Sequence, residues 1–208
     1  MPRPLVKVCG MTRIEDVDLC TELGVDLLGF IFHPKSPRNV DPDFAASVKT
    51  GKVTKVGLFL DQSADEVIEI MDRCGLHAAQ LHGGQDMAFC EKVGPDRVIK
   101  VFWPDTYSSP AALQRDLDNY SEVCGHFLFD AGKKGQGGTG TTIDFSTLQD
   151  IEIQTPWFLA GGIGPQNIDT VLTLNPPGID INSGVESKPG IKDETKLRVV
   201  FEKLAAIE

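Results

Sequence analysis

The 208-residue chain has no long apolar run: nothing in it approaches the roughly 20 consecutive residues that a membrane-spanning helix requires. Clustered Lys and Arg are missing too. With a formal charge of -10, the chain is a poor partner for nucleic acid or anionic membranes, which bind arrays of cations that displace counterions. No Pro- or Ser-rich linker divides it, so one domain over residues 1–208 is expected. There is no C-x-x-C pair. The five cysteines, Cys9, Cys20, Cys74, Cys90 and Cys124, are scattered and odd in number, which fits reduced thiols and not a disulfide framework. The histidines, His33, His77, His82 and His126, lack metal-ligand spacing such as H-E-x-x-H, so no metal site is expected. The opening Met1-Pro2-Arg3-Pro4 leads into a strand without the apolar stretch of a signal peptide, and a cytoplasmic location is expected.

What is present is a repeating rhythm of short β-branched or aromatic run, polar loop and helix-like stretch, the pattern of βαβ units around a parallel sheet. Eight strands are predicted: 5–9, 26–32, 54–60, 77–82, 98–102, 126–130, 157–160 and 178–182. Helices are predicted over 14–23, 64–73, 86–93, 110–120, 165–172 and 192–204, with a weaker one at 41–50 and a short one at 144–150. Ser63 and Thr12 read as N-caps, and Gly24, Gly75 and Gly94 as stops. An open doubly wound sheet normally has its Gly-rich phosphate turn after the first strand. Here the glycines cluster late, at 135–140, 161–164 and 178–184, where a (β/α)8 barrel carries its phosphate site. A single α/β barrel of the (β/α)8 type is therefore expected.

Active sites of such barrels lie at the carboxyl ends of the strands. Counting back by twos from Cys9 puts Lys7 on the inward face. The same parity pairs Gln80 with His82, Leu128 with Asp130, and Asp180 with Asn182. A strand cysteine is commonly just core. As a base it needs a lowered pKa, which the neighbouring Lys7 could promote; whether Lys7 does so is left open by the sequence. Asp130 either caps a loop through backbone amides or, with a pKa raised by its aromatic neighbours, donates a proton. Gly161 and Gly162, with Asn182, Ser183 and Gly184, form two converging loops suited to a phosphate, helped by a short helix N-terminus after the eighth strand. Arg38, on a loop stiffened by Pro34 and Pro37, is suited to clamping a carboxylate.

Lys7 to Thr12, Phe32 to Arg38, Gln80 to Gly83, Gly137 to Gly140, Leu159 to Ile163 and Asp180 to Glu186, in this order, resemble the phosphoribosylanthranilate isomerase family of tryptophan biosynthesis. The resemblance implies a (β/α)8 barrel and an Amadori rearrangement of a phosphosugar substrate, without cofactor or metal, in a monomer or homodimer. It implies Cys9 as general base and Asp130 as general acid. Arg38 would hold the anthranilate carboxylate, with Lys7, Gln80, His82 and Asp180 also at the substrate. Gly161, Gly162, Asn182, Ser183 and Gly184 would bind phosphate, and the loop 133–142 would close over the site. Asn182 stands where the family more usually has serine, and Met11 replaces a common isoleucine. Two enzyme rivals remain: a Schiff-base aldolase or decarboxylase using an inward Lys7 or Lys100, and the histidine-pathway Amadori isomerase, which is expected to use two carboxylates. A non-catalytic phosphosugar-binding module is the rival from another class.

Overall fold

The computed structural model describes residues 3–131, 148 and 151–207. Eight parallel strands close into a barrel: β1 Leu5–Val8, β2 Leu27–Ile31, β3 Thr54–Phe59, β4 Ala78–Leu81, β5 Val98–Phe102, β6 His126–Asp130, β7 Trp157–Ala160 and β8 Gly178–Ile181. The barrel shuts where β1 pairs with β8 in the register Leu5↔Gly178 to Val8↔Ile181. The helices are α1 Ile14–Glu22, α2 Pro42–Ser47, α3 Ala64–Cys74, α4 Met87–Val93, α5 Pro110–Tyr120, α6 Ile168–Thr173 and α7 Glu194–Ala205. A hairpin, β9 Glu186–Lys188 and β10 Ile191–Lys192, follows β8. No helix among the described residues is long and apolar enough to cross a membrane. The predicted short helix at 144–150, the loop at 133–142 and the glycines at 135–140 lie outside the described residues, apart from Leu148.

Alternation along the strands sorts the side chains into two cores. Val56, Ile99, Val101, Trp103, Leu128, Phe158 and Ala160 pack together inside the barrel. Val6, Val8, Phe30, Phe59, Leu81, Phe127 and Phe129 point outward and pack under the helices. This parity corrects one expectation. Ile99 and Val101 take the inward positions of β5, so Lys100 points outward, donating to the Gln85 carbonyl at 2.7 Å and lying 4.9 Å from the Tyr120 ring centroid. It has no place in a barrel-interior Schiff base.

Caps account for several boundaries. Ser63 and Glu66 form a reciprocal capping box at the start of α3, and Gly75 ends that helix in the left-handed region at φ 62°. Thr12, in contrast, is not a cap: Arg13 occupies the N-cap of α1, and the Thr12 hydroxyl donates to the Gly190 carbonyl, tying the first βα loop to the hairpin after β8. The predicted helix at 165–172 begins only at Ile168, because Asn167 is drawn into the preceding loop. The expected helix N-terminus after β8 is a single 3-10 turn, Ser183–Val185.

Candidate active site

At the carboxyl ends of the strands lies a cavity of about 440 Å³. Cys9 from the end of β1 and Asp130 from the end of β6 both line it. So do Gln80, His82, Asp180 and Asn182, the inward polar residues of β4 and β8 and their ends. Six residues predicted to face inward therefore meet in one chamber.

Lys7 lies beneath this chamber and not on its wall. Its side chain is fully buried, and Nζ donates to both carboxylate oxygens of Asp180 at 2.9 Å. The β1–β8 register causes this directly, since Lys7 and Asp180 are Cα partners on the same inward face. Burial pulls the Lys7 ammonium down, but Asp180 and Cys9 outweigh it and hold it above its ordinary value. Burial pushes the Asp180 carboxyl up and Lys7 pulls it down. One ammonium shared symmetrically by two oxygens is the geometry of a charged pair.

Lys7 does act to lower the Cys9 thiol, but the net shift is upward. Burial pushes that thiol above its ordinary value; Lys7 and Lys192 pull it back only in part, and Asp180 opposes them. Desolvation wins because Cys9 is 2% exposed and the charge of Lys7 is largely matched by Asp180. Space for the thiol comes from β2: a Cβ on Gly29 would stand 2.6 Å from Cys9 Sγ.

Arg38 lines the cavity but is not the exposed loop residue that its sequence context suggests. Its Nε donates to Glu186 at 2.9 and 3.1 Å, and its Nη2 at 2.7 Å. Hydrogen bonding to Glu186 raises the guanidinium's pKa further, while Arg38 and Lys192 overcome burial to hold Glu186 below the usual carboxylate range. Lys192 reaches Glu186 Oε1 at 3.1 Å and Asn182 Oδ1 at 2.9 Å. The hairpin thus fixes Arg38 from one side, and Nη1 takes no part in the fork. Sequence reasoning missed Glu186 and Lys192, because nothing local marks a carboxylate 148 residues away as the partner of Arg38.

Sequence reasoning also missed the apolar wall. Ile31, Leu58 and Leu60 cluster beside Cys9 and line the cavity next to Arg38. The inward parity used for β1 would have found Ile31 and Leu58, which are Cα partners in β2 and β3. An apolar slot flanked by a fixed guanidinium suits an aromatic carboxylate.

Across the cavity stand Gly161, Gly162 and Ser183. Gly161 and Gly162 adopt φ of 116° and 59°, conformations costly for other residues, and turn a loop of backbone toward the chamber. Asn167 staples that loop, accepting from Gly164 N at 2.9 Å and donating to Gly162 O at 3.1 Å. Gly184 does not line the cavity; it packs against the carbonyls of Ile163 and Gly162, which lets the loops after β7 and β8 touch. Among the described residues no group of three or more His, Cys, Asp or Glu side chains is placed to hold a metal ion.

Comparison with known proteins places this geometry. The family model described as N-(5'phosphoribosyl)anthranilate (PRA) isomerase matches residues 6–203. A Maridesulfovibrio salexigens protein named N-(5'-phosphoribosyl)anthranilate isomerase is 54% identical over 198 residues, covering 95% of this chain and 96% of that protein. The crystal structure of phosphoribosyl anthranilate isomerase from Thermus thermophilus has a TM-score of 0.84 at 35% identity, covering 98% of this chain and 99% of that one. A second structure, at 28% identity and a TM-score of 0.80 with the same coverage, is a phosphoribosyl anthranilate isomerase in complex with reduced 1-(o-carboxyphenylamino)-1-deoxyribulose 5-phosphate. Fold, cavity and sequence agree: this chain belongs to the N-(5'-phosphoribosyl)anthranilate isomerase family.

Proposed function

We propose that Cys9 and Asp130 are the base and acid of the isomerisation of N-(5'-phosphoribosyl)anthranilate, the family's reaction in tryptophan biosynthesis. The observation that carries this reading is that a thiol and a carboxyl, from the ends of β1 and β6, line one cavity with an apolar wall, a fixed arginine and a glycine loop. Asp130 gives its proton to the furanose ring oxygen. The C1–O bond breaks with its electron pair on oxygen, and the nitrogen lone pair forms an iminium at C1. That cation acidifies the C2 hydrogen and favours Cys9 in its thiolate form, the S–H proton having gone to solvent, against the burial that raises the thiol. Cys9 removes the C2 hydrogen, giving the enolamine, which tautomerises to 1-(2-carboxyphenylamino)-1-deoxyribulose 5-phosphate. No electrons are gained or lost overall, so the reaction calls for no redox cofactor.

Arg38 holds the anthranilate carboxylate while Ile31, Leu58 and Leu60 pack on the ring. Gly161, Gly162, Asn182 and Ser183 take the phosphate, with Gly184 allowing their loops to meet. Gln80, His82 and Asp180 face the sugar, and Lys7 acts from below by holding Asp180. Five free, buried thiols support the reducing cytoplasm as the location. The test is the change in anthranilate fluorescence as phosphoribosylanthranilate is consumed. Cys9→Ala and Asp130→Asn are each expected to lower kcat by roughly 10²-fold or more with substrate affinity nearly intact. Unchanged turnover in both variants would sink the assignment and leave a binding module.

A further inference from the structure

His82 follows β4, its side chain is 6% exposed, and its Nε2 is buried with no hydrogen-bond partner among the described residues. That nitrogen points at Asp130, 3.7 Å from Oδ2. The other ring nitrogen, Nδ1, faces Gln80 Nε2 at 3.4 Å. An amide nitrogen can only donate, so in this orientation Nδ1 is the acceptor and the single proton of a neutral imidazole sits on Nε2, on the Asp130 side. The ring stays neutral: burial, then Lys7 from β1 and Lys100 from β5, push it down to about 4. Trp103 packs against the ring in a T-shaped arrangement at a centroid distance of 5.2 Å.

We infer that His82 is a positioning residue for Asp130, its Nε2–H donating to the carboxylate that Asp130 becomes as its proton passes to the substrate. The proposal rests on the reading of Asp130 as the acid. No proton leaves His82. At 3.7 Å the contact lies beyond the usual N–H···O range of about 2.7 to 3.2 Å, so it contributes little before proton transfer and shortens as negative charge develops. An interaction gained only in the transition state raises kcat and leaves KM alone. Gln80 then has a defined part, since it selects the tautomer.

Three substitutions separate this from a packing role. Gln can place its amide nitrogen where Nε2 stood, Asn places it nearer Nδ1, and Leu has no donor. We expect His82→Leu and His82→Asn to lose roughly 10²-fold in kcat with KM changed by less than about 3-fold, and His82→Gln to recover most of the loss. The pKa of Asp130 in the substrate complex, read from kcat against pH, rises in the Leu variant and returns toward the wild-type value with Gln, because a donor favours the carboxylate. In an Asp130→Asn background, His82→Leu costs nothing further in kcat. Loss confined to KM, equal kcat for Leu and Gln, or full additivity with Asp130→Asn would overturn the inference. Wild-type turnover in Asp130→Asn itself would instead overturn the acid assignment beneath it.

Discussion

Lys7 Nζ lies 2.9 Å from both carboxylate oxygens of Asp180, at the floor of the cavity and under Cys9. The cation that shares a strand face with the thiol is therefore largely matched by a carboxylate before it acts on the thiol. Replacing Lys7 with Met leaves Asp180 buried and unpaired, which should cost about 3–5 kcal/mol in urea denaturation. Lys7→Met combined with Asp180→Asn should recover a large part of it. The same single variant removes a cation that lowers the Cys9 thiol, so alkylation of Cys9 at fixed pH should slow further.

Glu186 takes Nε and Nη2 of Arg38 and so fixes the guanidinium in the cavity wall. Glu186→Gln weakens the fork without emptying its volume. KM for phosphoribosylanthranilate should rise roughly 10-fold, with kcat changed much less, because the carboxylate contact is present in ground and transition states alike. A selective fall in kcat would place Arg38 in the chemistry instead.

Asn167 bridges Gly162, which lines the cavity, and Gly164, without lining it itself. Asn167→Ala should weaken inhibition by inorganic phosphate several-fold, on the order of 1 kcal/mol for the lost bonds, and raise KM in parallel. Unchanged phosphate inhibition would mean that the glycine loop holds its shape without the staple.

Acid should destabilise the protein partly through His82. Its folded pKa is about 4 against an ordinary 6.5, so between those values the unfolded chain binds a proton that the native state does not. Stability from this residue is complete above about pH 6.5 and is lost as pH falls toward 4, at up to about 1.4 kcal/mol per pH unit. Denaturation midpoints at pH 7, 6 and 5 should therefore fall less steeply in His82→Gln than in the wild type.

Much of the barrel was legible because each strand is a short run bounded by turn chemistry: β5, β6 and β7 have the predicted ends. The polar rim was legible for the same reason, since period-two alternation places Gln80, His82, Asp130 and Asp180 on one face. What escaped was anything set by packing between distant segments. Glu186 and Lys192 reach Arg38 and Asn182 through a hairpin, the Thr12 hydroxyl is diverted from its cap by Gly190, and Lys100 is turned outward by the parity of β5. The sign of the Cys9 shift escaped as well, because burial and the Asp180 pairing are properties of the closed barrel and not of Lys7-Val8-Cys9.

The most direct test of the account is release of deuterium to solvent from phosphoribosylanthranilate labelled at C2, followed with wild type and Cys9→Ala under single-turnover conditions. Removal of the C2 hydrogen by the Cys9 thiolate predicts that the release falls by roughly 10²-fold or more in the variant, together with product formation. Release at the wild-type rate without the thiol would contradict it.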